Sequence, residues 1–225
     1  MREFSKLAAL AGGIAFAAGL AYAADQKILG KSLTVKNPTG DASQRFIKGS
    51  AKEMGSSDTL VGNPTLAGSA GGAILEIIAN GTHGSSQSFK LPQGTTSTGK
   101  PFWTKAGSAF KYKDARGDNH GPVKSLIIKR TPNGLFSIKA KLTGKNGFIG
   151  VVPPNNGTSG CMALKLGQAA AAGDRYSVQF GPESKIKNLD GKVFSAKKPT
   201  AEGVCPTMYG SPSRAFLEKV ESLLD

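Results

Sequence analysis

Short segments in which apolar and polar residues alternate, separated by glycine, proline and asparagine, recur along this chain. The clearest runs from Phe136 to Leu142, where every second residue is apolar and the residues between are serine or lysine. Because successive side chains of a β-strand point to opposite faces, this pattern predicts a strand with one apolar and one cationic face. Val123 to Arg130 is joined to it by Thr131 to Gly134, a sequence typical of a turn, so a hairpin is predicted. The recurring pattern favours an antiparallel all-β domain over alternating strands and helices.

Seven further segments are predicted strands: Ser32 to Lys36, Ala73 to Ala79, Ser86 to Leu91, Phe110 to Lys113, Phe148 to Val152, Met162 to Leu166 and Tyr176 to Phe180. Ala73 to Ala79 is apolar on both faces except at Glu76, which is the pattern of a central strand. Asparagine and glycine tolerate a positive φ, so Asn80-Gly81 is predicted to start a hairpin into the next strand.

The end of the chain has a different pattern. Apolar residues recur at helical spacing from Phe216 to Leu224, behind Ser211 and Pro212, which suit a cap and a first helical turn. We expect a short amphipathic helix that covers an open part of the sheets, with docking to a partner as the alternative. At 39% hydrophobic and 20% charged residues the chain can bury a core. The predicted fold is a single antiparallel β-sandwich domain over residues 24–225 with this C-terminal helix.

Residues 1–23 have the pattern of a cleaved signal peptide. Arg2 and Lys6 precede an apolar run from Leu7 to Leu20, and Ala21-Tyr22-Ala23 provides the small residues that signal peptidase accepts. A retained anchor and a core helix are the alternatives, but the run is short for a membrane span. The chain is therefore expected to be secreted or periplasmic.

Two cysteines, Cys161 and Cys205, are the only ones in the chain. An even number of cysteines in an exported protein predicts a disulfide. Free thiols or half of a metal site are the alternatives, but there is no CxxC motif and the chain has only two histidines. No metal and no cofactor are predicted.

The charge of the chain is concentrated in its middle. There are 29 Lys and Arg against 15 Asp and Glu, a net charge of +14. Residues 24–99 carry a net +2, residues 100–145 a net +9 and residues 146–225 a net +2. This concentration predicts an anionic partner, either a polymer such as an envelope polysaccharide or a nucleic acid, or an acidic protein.

The predicted anion-binding residues are the cationic side chains of the central strands: Lys111, Lys113, Lys129, Arg130, Lys139 and Lys141. If these strands share a sheet, their charges repel one another across strands, and an anionic ligand relieves that repulsion. The alternative is that the lysines protect an edge strand against aggregation.

Trp103, the only tryptophan, lies just before this region and is a candidate for stacking on a sugar or a base. Packing in the core is an equally common use of a tryptophan.

Evidence for catalysis is sparse in this sequence. Ser69 lies in a near match to the GxSxG nucleophile elbow, but the segment after it is predicted to be a strand rather than a helix. His83 and His120, the only candidate bases, lie in glycine-rich turns. The turn from Asp114 to Asn119 gathers oxygen ligands, and we interpret it as a turn that stabilises its own backbone, with calcium binding as the alternative.

The succession of Leu33 to Lys36, Phe89 to Pro92, Trp103, Tyr112 to Asp114, the lysine-rich hairpin and Cys205-Pro206 resembles secreted β-rich domains of uncharacterised proteins from environmental bacteria. This resemblance implies secretion and a β fold, and it implies no activity and no functional residue. The sequence therefore predicts a non-enzymatic binding or structural protein with a cationic surface. A secreted hydrolase or carbohydrate-active enzyme and an architectural envelope or filament subunit are the alternatives.

Overall fold

The computed structural model describes residues 24–169 and 173–208. These residues form thirteen β-strands and two 3-10 helices, Ala42–Gln44 and Gly68–Ala70. The strands are β1 Asp25–Lys27, β2 Gly30–Lys36, β3 Phe46–Glu53, β4 Ala73–Thr82, β5 Ser85–Leu91, β6 Trp103–Ala106, β7 Ala109–Lys113, β8 Val123–Arg130, β9 Phe136–Thr143, β10 Asn155–Leu166, β11 Arg175–Phe180, β12 Lys185–Leu189 and β13 Val193–Lys197. The expected signal peptide at residues 1–23 and the expected C-terminal helix lie outside the described residues.

The described part of the chain is all-β apart from the two short 3-10 helices, and its strands form two mostly antiparallel sheets. Five strands form one sheet in the order β1-β11-β10-β4-β5, in which only β1 and β11 run parallel. The other sheet has eight strands in the order β12-β13-β2-β3-β9-β8-β7-β6, and all of its pairs are antiparallel. Strands β6 to β9 follow one another along the chain and are neighbours in the larger sheet, so the residues with the highest charge density form one continuous part of it.

Both sheets contribute to the same hydrophobic core. Leu33 and Ile138 of the eight-stranded sheet and Leu75 and Leu164 of the five-stranded sheet are fully buried members of one cluster. Burial of one such side chain contributes about 1.5–3 kcal/mol. The alternation predicted for Phe136 to Leu142 is confirmed, because the apolar residues of β9 are buried and the lysines between them are exposed.

The second face of the five-stranded sheet is also covered, by the segment that follows β13. Ile78, Cys161 and Ala163 on that face form a smaller buried cluster with Cys205. This explains why β4 is buried on both sides, as its sequence predicts.

The predicted disulfide between Cys161 and Cys205 is confirmed, with a Cα–Cα distance of 5.7 Å. Arg175 reinforces the same junction. It forms ion pairs with Asp25 at 2.6 Å and Glu76 at 2.8 Å, and it donates hydrogen bonds to the carbonyl oxygens of Cys205 and Pro206. The covering segment is therefore held by one covalent bond and one buried guanidinium.

Both predicted hairpins are present. β8 and β9 are joined by the predicted turn, in which Gly134 has a φ of 73°. β4 and β5 also pair, but β4 continues to Thr82 and the turn follows it, with His83 at a φ of 59°. Asn80-Gly81 therefore belongs to the strand rather than to the turn.

One strand prediction is wrong. Residues 148–152 form no strand, although Ile149 and Val151 are fully buried. Their backbone is bonded to side chains of β5 instead: Gly150 N donates to Gln87 Oε1 at 2.6 Å and Val152 N to Ser85 Oγ at 2.9 Å. The alternating apolar residues of this segment therefore reflect which side chains are buried, and not pairing of its backbone with a neighbouring strand.

Candidate anion-binding surface

Positive charge is divided unequally between the two sheets. The strands of the eight-stranded sheet contain fifteen basic residues and one acidic residue, Glu53, whereas those of the five-stranded sheet contain four basic and two acidic residues. The fifteen are Lys31, Lys36, Lys48, Lys52, Lys105, Lys111, Lys113, Lys124, Lys129, Arg130, Lys139, Lys141, Lys185, Lys187 and Lys197. The charge excess is thus a property of one sheet.

Five of the six predicted anion-binding residues lie on the outer side of that sheet. Lys111 of β7 and Lys139 of β9 are both opposite Ile127 of β8. Lys113 and Lys141, each two residues further along the same strand, are both opposite Ser125. Lys129 lies on the same side, opposite Ser137. Neighbouring strands are about 4.8 Å apart and alternate residues about 7 Å apart, so the four lysines of β7 and β9 form a grid of roughly 10 by 7 Å.

The charged surface continues beyond residues 100–145. On the neighbouring strand β3, Lys48 lies directly opposite Lys141 and is exposed. At the other end of the sheet, Lys185 lies opposite Lys197. We call the outer side of the eight-stranded sheet, with Lys36 of β2 and the lysines of β3, β7, β8, β9, β12 and β13, the cationic face.

The cationic face is not neutralised by neighbouring carboxylates. Within residues 24–169 and 173–208 the only ion pairs are the two made by Arg175, which belongs to the other sheet. Lys36 and Lys48 instead lie over the ring of Phe46, at 5.1 and 5.4 Å from its centroid. Phe46 is a half-buried aromatic residue of this surface that no pattern in the sequence predicts.

Arg130 departs from the prediction. It is the last residue of β8 and lies opposite Phe136, whose side chain is in the core, so it is on the other side of the sheet from the lysines. Its Nε donates a hydrogen bond to the carbonyl oxygen of Asp58. Arg130 is therefore not part of the cationic face, because one residue of register changes the side to which a strand residue points.

Trp103 belongs to the core. It is 4% exposed, its indole N–H donates to the carbonyl oxygen of Leu91 at 3.2 Å, and its ring packs edge-on against Tyr112 with centroids 5.2 Å apart. No free ring face is left for a sugar or a base. The stacking prediction for Trp103 is wrong, and the alternative of a core tryptophan is correct.

Three adjoining cavities cross the cationic face. The central one, about 300 Å³, lies between β7 and β8 and is lined by Lys111, Lys113, Lys124 and Lys141 around Ser125 and Ile127. A second, about 590 Å³, shares Lys111 and Lys113 with it and extends to Thr96, Thr98, Lys100 and Arg116. A third, about 250 Å³, shares Lys124 and Lys141 and extends to Phe46 and Lys48. We call these three cavities together the cationic groove.

A single carboxylate, that of Asp118, lines the cationic groove. A glycoside hydrolase that works with a pair of carboxylates needs two of them on either side of the sugar bond. The lining therefore does not supply that pair, and its chemistry is that of ammonium groups, hydroxyl groups and a few apolar side chains.

The turn after β7 forms one wall of the groove, and Asp114 holds it. The Asp114 carboxylate is fully buried and accepts hydrogen bonds from the backbone N–H groups of Gly117 at 2.9 Å, Asp118 at 2.8 Å and Asn119 at 3.1 Å. Gly117 adopts a φ of 80°, which suits glycine. The carboxylate thus organises its own backbone, and in the part of the chain that the structure describes no group of three or more metal-ligating side chains is present.

Tyr112 contacts the same turn from the core side of the sheet. Its hydroxyl group contacts the side-chain amide of Asn119. Burial, followed by the negative charge of Asp114, raises the pKa of Tyr112 above its ordinary value. The hydroxyl group is therefore neutral at physiological pH and adds no negative charge beneath the groove.

Ser69 lies in the 3-10 helix Gly68–Ala70, and the next element is strand β4. The prediction that a strand follows Ser69 is confirmed, and this order lacks the helix that a nucleophile elbow requires. His83 and His120 lie in turns, both with positive φ, as expected from their glycine-rich surroundings.

No helix within residues 24–169 and 173–208 has the length and apolar character needed to cross a membrane. Searches of protein-family models, of curated proteins and of solved structures found no match to this chain. The resemblance to secreted bacterial β-rich domains stays a prediction.

Proposed function

We propose that this chain is a secreted or periplasmic β-sandwich protein that binds anionic polymers along the cationic groove, without catalysing a reaction on them. The sandwich is inferred from the shared core of the two sheets. Export is inferred from the leader pattern and is supported by the disulfide, since disulfides persist in oxidising compartments.

The opposed lysines Lys48 and Lys141 carry this proposal. Like charges directly opposite each other in a sheet reduce its stability, and here no acidic side chain of the described residues pairs with either. A row of phosphate, sulfate or carboxylate groups lying in the groove would supply the missing negative charge. Phe46, Ile127 and the threonines of the groove offer contacts for the uncharged parts of such a polymer.

Protection of an edge strand explains these lysines less well. In the eight-stranded sheet β9 has four strands on one side and three on the other, so Lys139 and Lys141 are far from either edge. Edge lysines protect a strand whose backbone groups are free to pair with another chain. On an interior strand that hazard is absent, and binding of an anion is the better account of the charge.

The test is a salt titration of binding to heparin, to duplex DNA and to a purified acidic envelope polysaccharide. The protein variant Lys111→Gln/Lys141→Gln, which removes two of the lysines that line the central cavity of the groove, is compared with the wild type. Since each lysine that contacts an anionic group releases about one counterion, we expect weaker binding and a slope against the logarithm of the salt concentration that is smaller by about two.

The matched control is Lys27→Gln/Lys90→Gln, which removes the same charge from exposed positions of the five-stranded sheet. We expect a much smaller change for this control. Lys197, although distant in sequence, is unsuitable because it lies on the cationic face. Equal losses from both double variants would contradict the proposal, as would no binding to any of the three polymers at 0.15 M salt.

A further inference from the structure

Asp174 is a buried carboxylate next to the start of β1. The residue is 7% exposed and immediately precedes β11. Its Oδ1 accepts a hydrogen bond from the backbone nitrogen of Ala24 at 3.0 Å, and its Oδ2 accepts one from the side-chain amide of Gln26. Both of these donors are neutral while residue 23 remains attached to Ala24.

The position of Ala24 is fixed from its other side as well. The backbone N–H of Arg175 donates to the carbonyl oxygen of Ala24 at 2.9 Å, which begins the parallel pairing of β1 with β11. The backbone nitrogen of Ala24 is therefore held at the carboxylate of Asp174, and its carbonyl oxygen is held by the next residue, Arg175.

Asp174 makes no ion pair with any lysine or arginine of the described residues. The nearest guanidinium along the chain, that of Arg175, pairs with Asp25 and Glu76 instead. The surroundings are negative: burial is the first cause that raises the pKa of Tyr176 above its ordinary value, and the charges of Asp174 and Asp58 also raise it. Since a buried carboxylate without a counterion is costly, this site lacks one cation.

The sequence places a cleavage motif directly before this nitrogen. Ala21-Tyr22-Ala23 has small residues at the two positions that signal peptidase requires, and cleavage after it leaves Ala24 as the first residue. The residue whose backbone nitrogen touches Asp174 is thus the same residue that the motif would make the new N-terminus.

We propose that removal of the leader creates the missing cation. A signal peptidase hydrolyses the Ala23–Ala24 peptide bond with one water molecule, and the bond between the Ala23 carbonyl carbon and the Ala24 nitrogen breaks. Ala23 leaves as a carboxylate, and the proton of its new carboxyl group is taken up by the amine of Ala24. The resulting α-ammonium group forms an ion pair with Asp174 and anchors β1 on β11.

This ion pair makes the processed chain more stable than a chain with any residue before Ala24. The ammonium group stays at the hydrogen-bonding position that the amide nitrogen already occupies, and a charged donor makes a stronger hydrogen bond than a neutral one. An α-amino group has an ordinary pKa of about 7.7–8.0, so it is charged at neutral pH.

The first experiment compares two lengths of the chain, one that begins at Ala24 and one with a single glycine before it, each with Asp174 and with Asp174→Asn. Both are released from a fusion by a protease that leaves no other residue, with the disulfide intact, and are unfolded in urea. With Asp174 present, we expect the extra glycine to raise the unfolding equilibrium constant roughly threefold to tenfold, the range for a partly exposed, hydrogen-bonded ion pair. With Asp174→Asn the difference between the two lengths should be much smaller, and an equal difference in both backgrounds would overturn the proposal.

A second experiment does not depend on that variant. The folded wild-type chain is treated with 2-pyridinecarboxaldehyde, a reagent selective for N-terminal amines, and labelling is followed by mass spectrometry. We expect the chain that begins at Ala24 to react severalfold more slowly than the glycine-extended chain, because its amine is protonated and hydrogen bonded to Asp174. Equal labelling rates, or an exported protein whose first residue is not Ala24, would contradict the proposal.

Discussion

Lys48 and Lys141 lie directly opposite each other on the neighbouring strands β3 and β9, although 93 residues separate them along the chain. Both are exposed, and neither has a carboxylate within ion-pairing distance among the described residues. Repulsion between these two ammonium groups lowers the stability of the sheet, and an anionic ligand would relieve it. The same pair therefore connects the stability of this fold with its proposed function.

The first prediction is that Lys48→Glu changes stability and binding in opposite directions. A glutamate opposite Lys141 replaces repulsion with attraction, so we expect the free energy of unfolding to rise by about 0.2–1 kcal/mol. Binding to heparin should become weaker, because the groove loses one positive charge and gains a negative one. Urea denaturation and a binding titration measure the two effects.

Lys90→Glu, on the five-stranded sheet, is the control for this prediction, since it makes the same charge change at an exposed position away from the groove. We expect little change in binding for it. A Lys48→Glu protein that is less stable than the wild type would show that the two ammonium groups do not repel each other significantly.

The second prediction separates the two aspartates of the turn after β7. Asp118→Asn removes the one carboxylate that lines the cationic groove, so we expect tighter binding to heparin with little change in stability. Asp114→Ala also removes one negative charge, but it leaves three backbone N–H groups without their acceptor. We expect a loss of about 1–3 kcal/mol in stability and weaker binding.

Binding affinity and urea denaturation measured on the same two variants provide the check. Net charge alone predicts that both variants bind more tightly. Tighter binding by Asp114→Ala would therefore indicate that the shape of the turn has no influence on the groove.

The third prediction concerns the disulfide. The bond between Cys161 and Cys205 joins residues 44 positions apart. In the chain-entropy account, a closed loop of this size contributes about 4 kcal/mol by restricting the unfolded chain. We expect Cys161→Ala/Cys205→Ala to lose about that much in urea denaturation, and a reducing agent to lower the stability of the wild type but not of the variant. Equal sensitivity of both proteins to the reducing agent would contradict this prediction.

The fourth prediction uses Trp103 as a reporter of the core. Because it is the only tryptophan and is buried against Tyr112, its fluorescence should resist quenching by acrylamide until the protein unfolds. Saturation with heparin should leave the emission maximum unchanged, since the ligand lies on the other side of the sheet. If the emission maximum shifted on binding as much as it does on unfolding, this prediction would be wrong and Trp103 would be a ligand contact.

Most of the strands with large inward side chains could be predicted from the sequence, and β3 shows why others could not. Two of its inward positions are Gly49 and Ala51, so the apolar alternation is weak there. Gly49 has no room for a larger side chain because Met162 of the other sheet fills the adjacent space. The small residue is complementary to a partner more than a hundred positions away, and the sequence alone does not reveal that relationship.

The candidate site was predictable to a similar extent. Alternation along β7 and β9 places their lysines on the polar side of each strand, but only the sheet order brings Lys48 and Phe46 beside them. The prediction for Arg130 is wrong because Arg130 directly follows Lys129 in β8, and successive residues of a strand point to opposite sides of the sheet. The burial of Trp103 depends on its contact with Leu91 and Tyr112, which no local pattern encodes.

The unequal division of charge between the strands of the two sheets makes the described part of the molecule electrically asymmetric, with its highest density of strand lysines on the cationic face. At physiological salt the field of such a face extends about 8 Å into solution, far enough to rotate the molecule before contact. Molecules that meet an anionic surface would therefore arrive in one orientation and form a layer with a defined outer side. That outer side is the face of the five-stranded sheet that the segment after β13 covers, so the surface presented to the surroundings is also the one fastened by the disulfide and by Arg175.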